Sequence, residues 1–305
     1  MGNLTETKLL GIKPVKFFHA SKVKLLDRYG LAYQYIMTQN LDQKIGEKYA
    51  DLSNFNDNAI SHFETGSLFS YTAEKMGENN FTILVKDYIA ENIDKQINPE
   101  EFLQRLAEKE TSSEYLSNFF KHKNRDNFNL KNFKTKDDNV EVRITKNINE
   151  NIPVKLETEN RACFKKSYWL ETEKNKKLTT FEIPAEDIYK ITLNNGYIFP
   201  EPSYRDNYLY TKGIFSNSKK IKLKLIKDIP NPEFNEIYLN PRIRFSNAYD
   251  KFLLGMNFKN QSLFDQKFSY SITPYFSTGT RKMVGSGAVS YSFLPAESFM
   301  RALTV

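Results

Sequence analysis

Cysteine is almost absent. Cys163 stands alone in 305 residues, which excludes an intrachain disulfide framework and any metal cluster built on cysteine. Histidine is nearly as scarce: His19, His62 and His122 are separated by 43 and 60 residues. No two histidines are therefore four apart, the spacing that sets two imidazoles on one helical face around a zinc ion. No apolar run reaches the ~18 residues of a transmembrane helix. The opening Met1-Gly2-Asn3-Leu4-Thr5-Glu6 has no charged segment leading into an apolar one, so no signal peptide is expected in this chain. A glycine-rich phosphate loop and a G-x-S-x-G nucleophile elbow are also missing.

Charge of one sign is not concentrated. Lys and Arg number 44 against 37 Asp and Glu, a formal net charge of +7, but the lysines are interleaved with carboxylates along the chain. With no helix-turn-helix, zinc finger or RNP-like motif, a solvated basic surface is expected and nucleic acid is excluded as a partner. Hydrophobic residues make up 40% and charged residues 27%, the composition of a folded protein. Phe and Tyr are plentiful (24 and 18), and the Tyr- and Phe-rich alternation after residue 180 favours strands there.

Periodicity divides the chain. Leu25, Leu26, Tyr29, Ala32, Tyr33 and Ile36 recur at helical spacing, and Asp51 to Asn58 reads as a turn-rich loop. From about 59 to 120 a helical array is predicted. One helix carries Leu68, Phe69, Thr72 and Met76 and stops at Gly77 in a left-handed cap. The next carries Phe81, Leu84, Val85, Tyr88 and Ile89 on one face. A third opens with Asn98 as cap, Pro99 at its first position and Glu101 in a capping box, and buries Phe102, Leu103 and Leu106. A fourth starts near Ser112 or Ser113 and buries Tyr115, Leu116, Phe119 and Phe120. Residues 121–139 read as a polar linker. Short alternating runs at Val140–Ile144, Pro153–Leu156, Tyr168–Leu170, Thr180–Pro184 and Ile188–Leu193 then predict a small β-sandwich.

Longer strands follow. Ile221, Leu223 and Leu225 alternate with lysines, and Phe268, Tyr270 and Ile272 alternate with Ser and Thr. Met283, Gly285, Gly287, Val289, Tyr291 and Phe293 share one face, with Ser286, Ala288, Ser290 and Ser292 on the other. Strands of about nine to eleven residues, apolar on one face and small-polar on the other, fit an outer-membrane barrel, and a soluble antiparallel sheet fits the same pattern. The predicted fold class is α+β multidomain: helical array over 1–122, small β-sandwich over 138–200, and an incomplete antiparallel β-barrel-like sheet over 205–305.

The helical segments carry a family resemblance. His62-Phe63-Glu64-Thr65-Gly66-Ser67-Leu68-Phe69, then Glu74-Lys75-Met76-Gly77, Asn80-Phe81 and Asp87-Tyr88, resemble the M1 family of zinc aminopeptidases. In that family a Tyr-Glu-Lys-Gly-like segment precedes a helix, a Leu/Met-Gly stop, a Phe and a downstream Tyr. Pro99-Glu100-Glu101-Phe102-Leu103 and Leu116-Ser117-Asn118-Phe119-Phe120 resemble its closing helices. Gln39-Asn40-Leu41-Asp42-Gln43, Leu52-Ser53-Asn54-Phe55-Asn56, Asn240-Pro241, Asn247-Ala248-Tyr249-Asp250 and Tyr270 to Pro274 resemble a bacterial subgroup that ends in an outer-membrane β-barrel. The resemblance runs over about 30–300 in patches.

It implies a gluzincin parent: a zinc ion on two His of H-E-x-x-H and a downstream Glu, hydrolysing peptides. No H-E-x-x-H is present here, so this chain is expected to act as a C-terminal fragment or degenerate relative, inactive alone, without catalytic residues, metal ligands or cofactor of its own. Phe63 takes the place of the Tyr whose phenol supports the oxyanion in that family, and a plain core aromatic is the simpler role for it. His62 and Glu64 are two apart and do not share a helical face. The implied location is the outer membrane or cell surface of a Gram-negative bacterium, reached through the C-terminal strands, with peptide or protein substrates in the parent. Two alternatives are a non-catalytic surface or periplasmic module that binds a peptide or protein, and a periplasmic scaffold with no membrane part.

Overall fold

The computed structural model describes residues 25–109, 115–123, 125–136, 138–214, 216–227, 229–295 and 300–305. His19, Ser112 and Ser113 lie outside them. The chain is α+β, helices first and sheets after. Five longer α-helices come first among the described residues: α1 (Leu25–Gln39), α2 (Thr65–Met76), α3 (Glu78–Glu91), α4 (Pro99–Lys109) and α5 (Tyr115–Lys121). α1 buries Tyr33, Ile36 and Met37 against Ala59 and Ile60. Gly77, at φ 91°, ends α2 and opens α3, a backbone state that glycine enters without a Cβ clash. Asn98 Oδ1 accepts the Glu100 N–H at 3.0 Å and caps α4. The face expected on α3 is narrower than its spacing suggests: Leu84 and Tyr88 are buried, while Ile89 is 50% exposed.

Two segments expected to be irregular are ordered. Asp51–Asn58 is not a loop: Ser53 Oγ accepts the Asn56 N–H at 3.2 Å and starts a helical turn at Asn54–Asn56. That turn continues into a π-helix, Asp57–Glu64. Asn and Asp favour caps as much as turns, and here the capped helix has apolar Ala59 and Ile60 to bury. The 121–139 linker contains strand β1 (Phe128–Lys136), whose Phe128, Leu130 and Phe133 are buried. A bulge between Leu130 and Asn132 breaks the period of two, which is why this strand does not read as one from sequence.

The sandwich comprises β1, β2 (Asn139–Lys146) and β5 (Leu178–Pro184) in one sheet. The other holds β3 (Val154–Asn160), β4 (Lys165–Leu170), β6 (Ile188–Leu193) and β7 (Tyr208–Tyr210), in the order β4-β3-β6-β7. Alternation sets the inward rows: Val140, Val142 and Ile144 on β2, Val154 and Leu156 on β3. Helices and sandwich share one core, from Leu68, Leu106 and Phe119 through to Phe128, Ile191 and Phe199. Tyr71 of α2 joins them. Its ring lies 5.6 Å from Trp169 and 5.3 Å from Phe199, and its hydroxyl donates to the Pro153 carbonyl. Ion pairs Lys155–Glu74 and Lys75–Glu171 flank that contact.

A third sheet follows: β8 (Ile221–Lys224), β9 (Asn235–Phe245), β10 (Phe252–Lys259), β11 (Phe268–Ser277), β12 (Met283–Phe293) and β13 (Leu303–Thr304), in the order β13-β12-β11-β10-β9-β8. It is open and does not close into a barrel. One pair departs from the expected antiparallel arrangement: β8 and β9 are parallel. The chain between them, 225–234, contains Pro230 and Pro232. It carries the chain back to the start of β8 instead of turning tightly at its end.

Candidate functional site

Two places could carry function: the position of Phe63, and the third sheet with the cavity beneath it. Phe63 sits on the π-helix started by the Ser53 cap. Its ring packs over Gly30, where a Cβ would come within 3.0 Å of Phe63 Cε2, and lies 5.3 Å from the Tyr33 ring. The side chain is thus part of the small core around Ala59 and Ile60. Glu64 points inward and is 2% exposed, within 3.5 Å of the Tyr33 hydroxyl. Burial, then the Glu64 charge, hold the Tyr33 phenol well above its ordinary range. His62 is exposed, with Nε2 3.9 Å from Asp57 Oδ2. His62 and Glu64 therefore occupy different environments and do not converge. Among the described residues no group of three or more His, Cys, Asp or Glu could hold a metal ion.

The third sheet is built differently. Register places Leu239, Ile243 and Phe245 of β9 with Phe252, Leu254 and Phe258 of β10. These continue into Phe268, Ile272 and Phe276 of β11, then Met283, Val289 and Tyr291 of β12. This face is apolar and open to the surroundings: Ile243 is 76%, Val289 66% and Met283 67% exposed. An apolar surface spanning four strands exceeds what a soluble monomer normally leaves uncovered. The other face is polar and hydrogen-bonded to itself. Asn257 Nδ2 donates to Ser271 Oγ and Thr273 Oγ1, both at 2.7 Å, and Ser269 and Ser290 hydroxyls meet at 2.7 Å. Gly255 belongs to this face because Tyr275 lies over it: a Cβ there would fall 2.5 Å from Tyr275 Cδ1.

Below the polar face is an open cavity of about 1430 Å³, bounded by the end of α1, the sandwich and the lower ends of β11 and β12. Charged side chains of both signs line it, including Lys146, Arg205, Asp206, Glu236 and Arg301. Arg205 Nη1 and Asp206 Oδ1 are buried and have no hydrogen-bond partner among the described residues. Burial, then the Arg205 charge, pushes the Lys219 ammonium down to about 7. Arg125 closes one side, bidentate on Asp42 at 2.7 and 2.8 Å. Deeper in, Glu201 is fully buried and accepts from Phe128 N at 2.8 Å, Asn194 Nδ2 at 2.6 Å and Asn207 Nδ2 at 2.7 Å. Burial pushes its carboxyl up to about 8 against those three donors. At the far end of α5, Asp126 is pushed up to about 7 by burial and then by Glu150, beside the exposed His122. Sequence reading missed all of these groups. The only local signal is the polar run Arg205-Asp206-Asn207 set between aromatic residues.

No family model matches the chain, and no curated protein matches it. Among solved structures it is similar to the crystal structure of Legionella pneumophila aminopeptidase A in complex with aspartic acid, at 12% identity and a TM-score of 0.37. The overlay covers 48% of this chain and 17% of that one. The chain thus spans about a sixth of that protein, and the likeness decides neither fold nor activity.

Proposed function

We propose that this chain is the non-catalytic, membrane-seated part of an M1-like zinc peptidase. The sheet β9–β12 sits in the outer membrane, and the helices with the sandwich stand outside the lipid as the base of the peptidase. The single observation that carries the membrane seating is the two-faced sheet. Water penalises its exposed apolar face, whereas hydrocarbon does not, and the polar face already satisfies many of its groups internally. Three of the four strands are long enough to cross a thin bilayer, at 11, 10 and 11 residues for β9, β11 and β12. The peptidase side of the reading rests on the ordered M1-like segments from His62 to Phe120. Such a peptidase would need its zinc ligands from residues other than these 305, since no H-E-x-x-H occurs among them. The alternative module that binds a peptide or protein is favoured by one observation, the polar cavity with its unpartnered Arg205 and Asp206 atoms.

The seating is tested with a fluorophore on a single cysteine in a Cys163→Ser background, in phosphatidylethanolamine and phosphatidylglycerol vesicles containing brominated lipid. Val289→Cys should be strongly quenched and Ser290→Cys should not. Equal quenching at the two positions, or none at either, would sink the membrane reading.

A further inference from the structure

The polar face of the third sheet holds hydrogen-bond donors that no part of the proposed function uses. Register sets Arg242 of β9 opposite Gly255 of β10 and Lys259 of β10 opposite Ser271 of β11. Asn257 lies between Gly255 and Lys259, opposite Asn240. Arg242, Asn257, Lys259, Ser271, Thr273 and Tyr275 line one cavity of about 350 Å³, and no carboxylate lines it. The Tyr275 ring, seated over Gly255, walls the end next to Arg242.

The acidic residues of this sheet are committed elsewhere. Between residues 235 and 293 they are Glu236, Asp250 and Asp265. Glu236 pairs with Lys224 at 2.7 Å, Asp250 accepts from Ser277 and Thr280, and Asp265 accepts from Gln39 and Gln261. Asn257, 5% exposed, donates its amide to Ser271 Oγ and Thr273 Oγ1. A hydroxyl oxygen that accepts from an amide keeps its own proton to give, so this amide makes donors of both hydroxyls. Beside them Asn240 Nδ2 is buried with no acceptor among the described residues. Burial, then the charges of Lys227 and Arg242, hold the Lys259 ammonium below its ordinary range, the effect of like charges gathered together.

We propose that this cavity binds the phosphate group of a small phosphorylated molecule, held by Arg242 and Lys259 with the Ser271 hydroxyl between them. A carboxylate offers two coplanar oxygens and one charge, which a single guanidinium fork satisfies. A phosphate offers three terminal oxygens and close to two charges near neutral pH, a match for two cations reaching in from neighbouring strands together with a hydroxyl. The volume lies within the roughly 300–1,000 Å³ of small-molecule sites, so the ion fits with the molecule that carries it. The site is on the face opposite the apolar one and does not depend on membrane seating.

The test is a calorimetric titration of the full chain with inorganic pyrophosphate in dodecyl maltoside, a detergent without phosphate. A melting curve first shows that each variant keeps its fold. One pyrophosphate per chain is expected. Arg242→Gln and Lys259→Gln should each weaken binding about tenfold or more. Arg242→Lys should recover part of that loss by restoring the charge without the fork. Lys174→Gln, which removes the same charge from an exposed turn of the sandwich, should change nothing. Wild-type chain that binds no pyrophosphate at millimolar concentration would overturn the proposal. So would an equal loss in all three charge-removing variants, the mark of general attraction to a basic chain. Succinate bound as tightly as pyrophosphate would overturn the phosphate assignment. Phosphatidic acid added to the micelles should not displace pyrophosphate; displacement would overturn the soluble source and place the phosphate on a lipid headgroup.

Discussion

The α2–α5 and sandwich region and the β9–β12 sheet use the same side chains in opposite ways. In the first, Phe119, Phe128, Ile191 and Phe199 turn to one interior, and most lysines and glutamates, Glu201 and Lys146 apart, face outward. In the second, Phe268, Ile272, Val289 and Tyr291 face outward, and serine, threonine and asparagine are turned to the sheltered side. Alternation by itself fixes only which residues share a face. On the polar face several hydroxyls and amides are paired with one another, so it is the apolar face whose exposure water penalises.

The sharpest way to break the comparison is to separate the two regions. A chain ending at Ser218 keeps β7 and Glu201, whose contacts hold the sandwich loop in place. It should be monomeric and soluble without detergent by analytical ultracentrifugation, whereas the full 305-residue chain should associate in water. A full chain that is monomeric in plain buffer would show that the outward face is not a lipid surface.

Inside the first region the largest single loss is expected at Tyr71. Tyr71→Ala empties a site among three aromatic rings and should cost about 3–5 kcal/mol in denaturant unfolding. Tyr71→Phe keeps the ring, removes the bond to Pro153 and should cost about 1 kcal/mol. Equal costs for the two would show that the rings are not what joins helix to sandwich. Phe81 is only partly buried, 6.2 Å from the Phe69 ring. Its loss to Ala should be smaller, about 2 kcal/mol, and Val289→Ala on the outward face should leave the soluble-region transition unmoved.

Titration sharpens the same contrast. Glu201 and Asp126 have folded values raised above the ordinary carboxyl range, to about 8 and about 7. Raised carboxyls contribute stability that is complete below their unfolded values and is lost as pH rises through the folded ones. The Lys219 value, lowered to about 7, acts in the other direction, adding stability as pH climbs above it toward the ordinary ammonium range. The 1–218 chain keeps both carboxyls and lacks Lys219, so its melting temperature should fall from pH 5 to pH 7. Glu201→Gln should flatten that fall, and an unchanged slope would remove Glu201 as its source. The smallest effect concerns Phe63. Phe63→Tyr should change stability by about 1 kcal/mol or less, and neither protein should hold stoichiometric zinc or cleave aminoacyl reporter substrates. Chelator-sensitive hydrolysis by either would overturn the non-catalytic reading.

The helices and most strands were legible in the sequence because their burial follows strict periods, as at Leu84 and Tyr88 or Val140, Val142 and Ile144. β1 was not, because its bulge changes the period midway. The parallel β8–β9 pair was not, because strand direction depends on the path of 225–234 and leaves no mark on the strands. At the candidate site, Phe63 was legible as an aromatic of the helical region. Arg125 with Asp42, and Glu201 with Asn194 and Asn207, were not, since each network joins positions distant in sequence or loops with no repeat.

The end of α1 has a consequence for the order in which the molecule is assembled. Asn40 Nδ2 donates to the carbonyls of Pro295 and Arg301 at 2.7 Å, Gln39 Nε2 reaches Asp265 Oδ2 at 2.9 Å, and Arg301 Nε returns to the Gln39 carbonyl at 2.8 Å. Residues separated by 226 to 262 positions are thus tied together. The helices α2–α5 and the sandwich can gather from contacts that lie within residues 65–210. The attachment of α1 to the third sheet waits until Asp265, Pro295 and Arg301 have been made, and it is the slow, long-range step of folding.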